Sequence, residues 1–378
     1  MNDSQVTNLP DHTLPQDILV HILSLLPAKS IGRFRCVSKP WKSLLSHPHF
    51  IKTHLNRTKQ LLGEDEASLI FVSNDSGLLY STQLKYTHHM FDEITTFATK
   101  LCFDNHRFRS YHVFNMVSCD GLVLLNDEEN KFLLINPTTR EFKELPTSPY
   151  ALDRHLSNTI SGLGYDSVND DYKVVTSEMF VNVYSVRNGT WERADSSPYD
   201  HDVGYRFSPG TFVNGCIHWL GVRLSDASSV IAALDLGEGK FGEVSIPSWV
   251  VGDREFAFNH LVELGGFLCW YPASLLATGN TTDVYMMKEY GVMDSWTKFT
   301  ISHSEPISLR PLCLLGKKQL VLVENEGCIG EKLVMCNLSG GSSKDIAVHG
   351  IADDFSVGGS FMESLVSPHC TTEAVTEC

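Results

Sequence analysis

The chain has 378 residues, of which 42% are hydrophobic and 20% are charged, and its formal net charge is -15. Such a composition is typical of globular domains with a sizeable core, and the acidic excess argues against nucleic-acid binding, which requires a basic surface. We find no long uninterrupted apolar run and no basic leader before an apolar stretch, so we expect neither a membrane span nor a signal peptide.

The charge is distributed unevenly along the chain. Residues 1–60 contain eight Lys or Arg and three Asp, a balance of +5, whereas residues 61–378 contain 22 basic and 42 acidic side chains, a balance of -20. This asymmetry predicts two modules, the first of which is attracted to an acidic partner. The ten cysteines form no CxxC pair, which predicts reduced thiols and a cytoplasmic or nuclear protein.

The first module is predicted to consist of short helices. Pro15 and Asp17 suit a first helical turn, and apolar residues then recur at helical spacing until Pro27, namely Ile18, Leu19, Ile22, Leu25 and Leu26. A second helix is expected over residues 28–37, a third over residues 40–45, and a further turn or helix over residues 47–55.

The predicted helices are too apolar to bury all of their hydrophobic side chains against one another. Val20 and Leu23 lie away from the main apolar stripe of the first helix. An exposed apolar face with a basic rim is typical of a protein-binding surface. The alternative is a helical cap packed on the following domain, and periodicity alone leaves both interpretations open.

Residues 14–55, LPQDILVHILSLLPAKSIGRFRCVSKPWKSLLSHPHFIKTHL, resemble an F-box in its plant form. The leucine–proline opening, the LPAKS junction, the RFRCVSK segment and Trp41 match in order and spacing, whereas Pro40 stands where many members have a small residue and is expected to shorten the third helix. The resemblance implies docking on a Skp1-like adaptor of a cullin–RING ubiquitin ligase.

The same resemblance implies which residues contact the adaptor. Arg35 and Lys39 are expected to face the acidic adaptor, and Trp41 is the first residue to test because tryptophan often dominates interface energies. The apolar contact is expected from Leu14, Pro15, Ile18, Leu19, Ile22, Leu26, Pro27, Cys36, Val37 and Trp41.

Beyond residue 66 the sequence changes to short apolar strands separated by turns rich in Gly, Asn and Asp. A strand, a polar turn and an aromatic residue recur, with the aromatics at Phe142, Trp191, Phe241 and Trp296. A period of roughly 50 residues with about four strands predicts kelch-like propeller blades, in which the turn joins the outer strands and the aromatic packs between blades.

We therefore predict two domains, a small all-α domain followed by an all-β kelch-like propeller of about six blades, together of the α+β class. The ring is expected to close by pairing of residues 361–367 with residues 68–73; an open array of β-sandwiches is the alternative. The predicted boundaries are 1–12 disordered, 13–56 helical, 57–66 linker, 67–368 propeller and 369–378 disordered.

The second region also resembles a family, the plant F-box-associated interaction domain. CDGLVLL, INPTTREFKELP, GLGYDSVNDDYKVV, VYSVRNGTWER, NGCIHWL and DVYMMKEYGVMDSWTKF match its landmarks over residues 115–300. The likeness is greatest to the constitutive-expresser-of-pathogenesis-related-genes type and more distant to S-locus F-box proteins. It implies capture of a protein for ubiquitination, which in the closer type is an intracellular immune receptor.

Motifs that suggest catalysis or a cofactor have simpler explanations. GEGKFG at 237–242 satisfies GxGxxG, but strands are predicted on both sides of it, which favours a hairpin turn over a dinucleotide site. His88, His89, Cys102, His106, Cys328 and Cys336 lack zinc-ligand spacing. We therefore expect no metal, cofactor or catalytic residue, and predict a non-enzymatic substrate receptor. The alternative is a stand-alone propeller enzyme or binding protein with a helical cap.

Long connections are the predicted target-binding elements. They fall at residues 149–158, 196–208, 224–229 and 272–282.

Overall fold

The computed structural model describes residues 15–61, 65–86, 94–103, 106–108, 116–126, 131–150, 160–177, 180–194, 196–200, 208–247, 259–272, 280–303, 309–316, 318–325, 330–338 and 343–369. Four helices come first: α1 Gln16–Leu23, α2 Ala28–Phe34, α3 Lys39–Ser46 and α4 Pro48–Leu61. We call residues 15–61 the helical module. Its last helix continues past the predicted boundary at residue 56, and the predicted disordered ends lie outside the described residues except for His369.

The rest of the described chain is built from strands. They are β1 Glu66–Ser73, β2 Leu79–Lys85, β3 Ile94–Phe97, β4 Thr99–Leu101, β5 Val117–Cys119, β6 Leu122–Asn126, β7 Phe132–Asn136, β8 Glu141–Glu144, β9 Ile160–Asp166, β10 Asp171–Ser177, β11 Val181–Ser185, β12 Thr190–Arg193, β13 Tyr199–Asp200, β14 Ser208–Pro209, β15 Thr211–Val213, β16 Cys216–Arg223, β17 Ser229–Asp235, β18 Phe241–Val244, β19 Asn259–Leu264, β20 Phe267–Pro272, β21 Thr281–Met287, β22 Trp296–Ser302, β23 Leu309–Leu315, β24 Gln319–Asn325, β25 Glu331–Asn337, β26 Lys344–His349 and β27 Phe355–Phe361.

These strands form six sheets arranged as the blades of a propeller, as the repeat predicts. Blade 1 is β27-β1-β2-β4, blade 2 is β5-β6-β7-β8, blade 3 is β9-β10-β11-β12 with the short β14 beside β9, and blade 5 is β19-β20-β21-β22. In blade 4, β13 and β15 pair with β16, which is followed by β17 and β18; blade 6 is β23-β24-β25-β26 with β3 added outside. The predicted six-bladed architecture is confirmed.

The hydrophobic core lies between the blades. An apolar cluster fills each of the six blade interfaces, for example Ile70 with Leu133 between blades 1 and 2, and Ile231 with Trp270 between blades 4 and 5.

Two of the repeated aromatic residues join neighbouring blades through hydrogen bonds. Trp191 lies in the outer strand of blade 3, and its indole Nε1 donates to the carbonyl of Pro146 behind blade 2 at 2.7 Å. Trp296 of blade 5 does the same to Ser245 at 3.1 Å.

The ring closes by strand pairing inside blade 1, as predicted, but with a different strand. β27 pairs antiparallel with β1, from Ser68 opposite Phe361 to Ser73 opposite Phe355. The prediction of a closing strand at 361–367 is too late in the chain, because the run FMESLVS is more apolar than FSVGGSF. Residues 362–367 leave the sheet and run on without strand structure.

A second closure joins blade 1 to blade 6 at the outer edge of the ring. β3 lies between two strands of blade 1 in sequence, yet it pairs in parallel with β26 of blade 6, from Ile94 opposite Ile346 to Phe97 opposite His349. The Thr82 hydroxyl of blade 1 donates to the carbonyl of Phe97 at 3.0 Å and so ties β3 back to its own blade. The joint between the first and last blades is therefore held at its inner and its outer side.

Antiparallel pairing gives the propeller two different faces. We call one of them the proximal face; it carries the turns that join the first to the second and the third to the fourth strand of a blade, such as residues 167–170 and 186–189 in blade 3. We call the opposite one the distal face; it carries the connections from the second to the third strand of a blade and from one blade to the next. All four predicted target-binding stretches belong to the distal connections, and of them the structure describes residues 149–150, 196–200, 208, 224–229, 272 and 280–282.

Two glycines on the innermost strand of blade 3 allow blade 4 to approach its backbone. A Cβ placed on Gly164 would lie 2.5 Å from the Phe212 ring and 2.6 Å from Leu236. On Gly162 a Cβ would lie 2.8 Å from Ile217. The GLGYDSVNDDYKVV segment therefore needs glycine at these positions for close contact between blades.

We predict that Gly164→Ala lowers the free energy of unfolding by about 1–3 kcal/mol, because the added methyl group overpacks the interface between blades 3 and 4. Urea denaturation of the full chain measures this. Gly242→Ala is the matched control, since a Cβ there meets nothing within 4 Å, and its effect should stay within about 0.5 kcal/mol. Equal losses in both variants would contradict this explanation.

Candidate protein-docking surfaces

The first helix of the helical module and the turn that follows it place apolar side chains in solvent, Ile18 and Ile22 on α1 and Leu25 two residues after its end. Ile18 is 44% exposed, Ile22 45% and Leu25 51%. Their spacing of four and three residues puts them on one face, which we call the apolar outer face. Covering each with a partner would contribute about 1–2 kcal/mol. Such a face, on a helix of a small module, is suited to docking against another protein.

The opposite side of the same helix is used inside the module, which corrects the sequence interpretation. Leu23, which the periodicity assigns to the surplus set, is only 3% exposed and packs with Ala28, Ile31 and Leu45. The module does leave apolar side chains unburied, as predicted, but they are the main stripe residues Ile18 and Ile22 rather than Leu23. Helical spacing identifies both sets of residues; which of them faces the core is decided by where α4 and the chain end pack.

The residues expected to contact an adaptor differ in exposure. Those that are exposed are Pro15, Ile18, Ile22, Pro27, Cys36, Val37 and Lys39; those that are partly buried are Leu19, Leu26, Arg35 and Trp41. Leu14 lies outside the described residues. Val37 is 66% exposed. The role of all twelve as adaptor contacts stays a prediction.

Arg35 and Trp41 have structural partners within the module. The Arg35 guanidinium donates from Nε at 3.2 Å and from Nη2 at 2.9 Å to the carbonyl of Leu45 at the end of α3. Trp41 packs edge-on against Phe34, with ring centroids 5.6 Å apart. Truncating Trp41 would disturb this packing as well as any interface, so it is a less specific probe than the residues of the apolar outer face.

Pro40 does not shorten the third helix. α3 begins one residue earlier, at Lys39, and the Ser38 hydroxyl caps it by accepting from the backbone N–H of Trp41 at 3.3 Å. Proline in the first helical turn loses no hydrogen bond, because those N–H groups have no partner within the helix. This departure from the family pattern therefore leaves the helix intact.

Three lysines of the helical module are paired with acidic side chains of the propeller. The Nζ atoms of these lysines form ion pairs from Lys29 to Glu363 at 2.5 Å, Lys52 to Asp170 at 2.9 Å and Lys59 to Asp120 at 2.6 Å. Asp120 and Asp170 lie in proximal turns of blades 2 and 3, so the module sits on the proximal face. Part of the positive charge of residues 1–60 thus meets its acidic partner within the same chain.

The module also carries exposed positive charge on α2 and α3. Arg33, Lys39 and Lys42 are all exposed. They leave the module with a basic surface for an acidic partner.

A second candidate surface lies on the distal face of blade 4. Residues 196–200 and 224–229 meet there, since β13 pairs with β16 and the N–H of Leu224 donates to the carbonyl of Pro198 at 3.0 Å. They enclose a groove of about 400 Å³ lined by Pro198, Tyr199, Arg223, Leu224, Ser225 and Glu243. Leu224 is 66% exposed. An exposed leucine, an aromatic ring and fixed charges around one groove can recognise a protein segment.

The charges in this distal groove are held in place by one another. Arg223 donates from Nη2 to Glu243 at 2.6 Å and from Nη1 to Asp226 at 2.7 Å. Burial, together with the nearby Glu243 carboxylate, raises the pKa of Tyr199 to about 12, so its hydroxyl stays neutral. This hydroxyl donates to the carbonyl of Gly242 at 3.1 Å.

The motifs considered for catalysis have structural roles in the described residues. Residues 236–240 form the hairpin turn between β17 and β18, in which Asp235 Oδ1 accepts the N–H groups of Gly237 and Glu238, both at 2.8 Å. Burial raises the pKa of the thiols of Cys313 and Cys336 to about 12 and about 11, respectively, which keeps them protonated and poor nucleophiles.

Metal-binding clusters and membrane-spanning helices are both absent from the described ranges. There, no three or more His, Cys, Asp or Glu side chains are grouped so as to hold a metal ion. Of the helices in those ranges, none combines the length and apolarity needed to cross a bilayer.

A buried histidine holds the helical module together. His54 of α4 is 1% exposed, and its Nε2 donates to the carbonyl of Leu26 at 2.8 Å, joining α4 to the segment between α1 and α2. Burial lowers the pKa of His54, and the positive charge of Arg35 adds to this effect. The ring is therefore neutral in the folded module.

Comparison with known proteins gives two domain matches. The F-box domain model matches residues 12–53, and the F-box associated beta propeller domain model matches residues 69–364. The chain is 31% identical to the F-box protein CPR1 of Arabidopsis thaliana over 348 residues, covering 82% of this chain and 79% of that protein.

More distant similarities extend this set. The F-box/kelch-repeat protein At3g23880 of Arabidopsis thaliana is 27% identical, with 80% of this chain and 82% of that protein covered. Among solved structures, TolB from Acinetobacter baumannii overlaps with a TM-score of 0.48 at 8% identity, over 83% of this chain and 71% of that chain.

We predict that acidification destabilises the helical module through His54. Its lowered pKa means that the unfolded chain takes up a proton near pH 6.5 while the folded ring resists it, so the stabilisation is complete above that pH and declines below it. The decline is at most about 1.4 kcal/mol per pH unit. Amide hydrogen exchange of α1 and α2 in the full chain, corrected for the intrinsic pH dependence of exchange, measures it.

The His54→Gln variant is the control for this titration. Glutamine can still donate to the Leu26 carbonyl but does not titrate, so this variant should lose the additional pH dependence. An unchanged pH dependence in His54→Gln would assign the effect to another group.

Proposed function

Because this chain belongs to the family of F-box proteins with an F-box associated β-propeller domain, we propose that it is the substrate-recognition subunit of an SCF-type ubiquitin ligase. The F-box binds a Skp1-like adaptor and, through it, the cullin–RING core. The propeller captures a protein target, which the ligase marks with ubiquitin for proteasomal degradation.

The apolar outer face supports adaptor binding through the F-box. Ile18, Ile22 and Leu25 are exposed although they are among the most apolar residue types. Arg33, Lys39 and Lys42 provide positive charge on the neighbouring helices, which favours an acidic partner through faster association and correct orientation.

The opposition of the two propeller faces supports target binding at the distal face. The F-box occupies the proximal face through ion pairs to Asp120 and Asp170. The long connections and the groove beside Leu224 lie at the other end of the strands. A target bound there would not compete with the adaptor for space. This separation is the observation that carries the proposal.

The contribution of this subunit to the reaction is proximity. It holds the target and the ligase on one rigid body, so the lysines of the target meet the charged ubiquitin carrier at high effective concentration. This requires no catalytic residue on the chain. We propose the cytoplasm, the nucleus or both as the place of action, since the sequence contains ten cysteines without a disulfide pattern.

Intracellular immune receptors are the first target class that we propose. The support is the resemblance of GLGYDSVNDDYKVV and MMKEYGVMDSWTK to the constitutive-expresser type, together with the 31% identity to F-box protein CPR1.

We predict that Ile22→Asp reduces adaptor affinity about 30-fold or more, because a charge replaces an apolar anchor of the interface. Binding of the purified full chain to a Skp1-like protein by calorimetry measures this. Ile22 is 45% exposed, so the substitution should not disturb the F-box core.

Leu224→Asp is the matched control, because it makes the same kind of change at an exposed residue of the distal face. It should leave adaptor affinity unchanged within about twofold, whereas Ile22→Asp should leave target capture intact. If the wild-type chain does not bind the adaptor, or if both variants lose adaptor affinity equally, the proposed docking surface is refuted and a stand-alone propeller protein is favoured.

We predict that exchanging residues 196–208 and 224–229 together for those of a related propeller changes the captured targets without changing adaptor affinity. The described parts of these stretches, residues 196–200 and 224–229, meet at the distal groove, away from the F-box. Proximity labelling in cells with the proteasome blocked identifies the targets. A chimera that keeps the original target set would place target binding elsewhere on the propeller.

A further inference from the structure

The chain continues beyond the closing strand into contact with the F-box. After β27 ends at Phe361, residues 362–367 run across the proximal face and pass between the propeller and the F-box. We call residues 362–367 the strap. Ser364, Leu365 and Val366 are all buried, with exposures of 0%, 1% and 6%.

One residue of the strap is part of the F-box core. Leu365 packs in a single cluster with Leu23 of α1, Ala28 and Ile31 of α2, and Leu45 of α3. It is the only member of that cluster, among the described residues, that comes from outside the helical module. The F-box helices therefore obtain part of their core from the far end of the chain.

The neighbouring strap residues are bound to the propeller. Val366 belongs to the cluster between blades 2 and 3. The Asn136 side chain at the end of β7 donates from Nδ2 to the carbonyls of Ser364 at 3.1 Å and Val366 at 2.7 Å. Glu363 receives the Lys29 ion pair from the F-box at 2.5 Å.

The proximal turn of blade 2 is shaped to fit the strap. Gly121 has φ +85°, and a Cβ there would collide with Ser364 Oγ and lie 2.6 Å from the carbonyl oxygen of Met362. Only glycine combines this backbone conformation with so close an approach. The strap thus has a built seat on the propeller, and Leu365 is presented from it to the F-box.

We propose that the strap makes the F-box conditional on a closed propeller. Leu365 follows the last residue of β27 by four positions, so the pairing of β27 with β1 fixes the start of the segment that carries Leu365 into the F-box core. When the ring is open, the F-box core lacks this side chain. A chain whose propeller has not closed would then present a loosened apolar outer face to the ligase adaptor.

The dependence also holds in the opposite direction. Any coupling between two parts of a molecule is reciprocal in free energy, so a partner that stabilises the F-box also stabilises the closed ring through the strap. The folding dependence stands on the contacts of Leu365 alone; only the consequence for the adaptor rests on the proposed function.

Amide hydrogen exchange of the full chain tests the folding dependence. Leu365→Ala should accelerate exchange in α1, α2 and α3 by about 10-fold or more, because it leaves a cavity in the F-box core. Val357→Ala is the more specific test, because it changes the closing strand and not the F-box. Val357 is a fully buried residue of β27, in the cluster between blades 1 and 6. It should accelerate exchange in β27 and β1 and also in the three F-box helices.

Val175→Ala is the matched control for Val357→Ala. Val175 is equally buried, but it lies in the cluster between blades 3 and 4, remote from the closing strand. This variant should leave α1, α2 and α3 within about twofold of wild type. F-box exchange that is unchanged in Leu365→Ala or in Val357→Ala, or accelerated equally by Val357→Ala and Val175→Ala, would overturn the proposal.

Adaptor affinity gives an independent second measurement. If wild-type chain binds a Skp1-like protein, Val357→Ala should weaken that binding more than Val175→Ala does. If wild-type chain does not bind it, the proposed function fails, while the exchange measurements still test the strap.

Discussion

The pairing of β27 with β1 is the constraint on which the rest of the molecule depends. A ring of blades buries its apolar surface only between neighbours, so the first and last blades must meet. The pairing joins the two ends of the propeller domain, with Ser68 opposite Phe361, and β3 reinforces it at the outer edge. The strap begins where this pairing ends, so the pairing also fixes the start of the segment that contributes Leu365 to the F-box core.

Most of the fold could be predicted because its signals are local. The aromatic residues Phe142, Trp191, Phe241 and Trp296 each lie at the start of an outer strand, and their spacing alone indicates blades. The closing strand was predicted in the wrong place because the apolar pattern favours 361–367, whereas FSVGGSF contains two glycines and is held in the sheet by its partner β1. The parallel pairing of β3 was not predicted, because so short a strand carries no information about a partner near the other end of the chain.

The candidate site was predicted less completely than the fold. Helical spacing identifies Ile18 and Ile22 as one stripe but cannot say that Leu23, rather than these two, faces the core. Arg35 is predicted to face the adaptor, and this stays a prediction; its bond to the Leu45 carbonyl within the module was not predicted. The positive balance of the N-terminal region predicted an acidic partner; for Lys29, Lys52 and Lys59 the acidic side chains belong to the propeller. These outcomes depend on how the helices pack on one another and on the propeller, which local sequence patterns do not show.

The F-box and the distal groove lie on opposite faces of the propeller, and this sets the distance between them. A seven-residue strand such as β10 spans roughly 23 Å, so a target bound at the distal face, as proposed, would start about that far from the F-box. The surface of the target that touches the groove faces the ring and is shielded by it. Under the proposed function, the lysines with a free path to the ligase are those that overhang the rim of the propeller, so the modified lysine would be chosen by its reach around the ring rather than by its nearness to the bound segment.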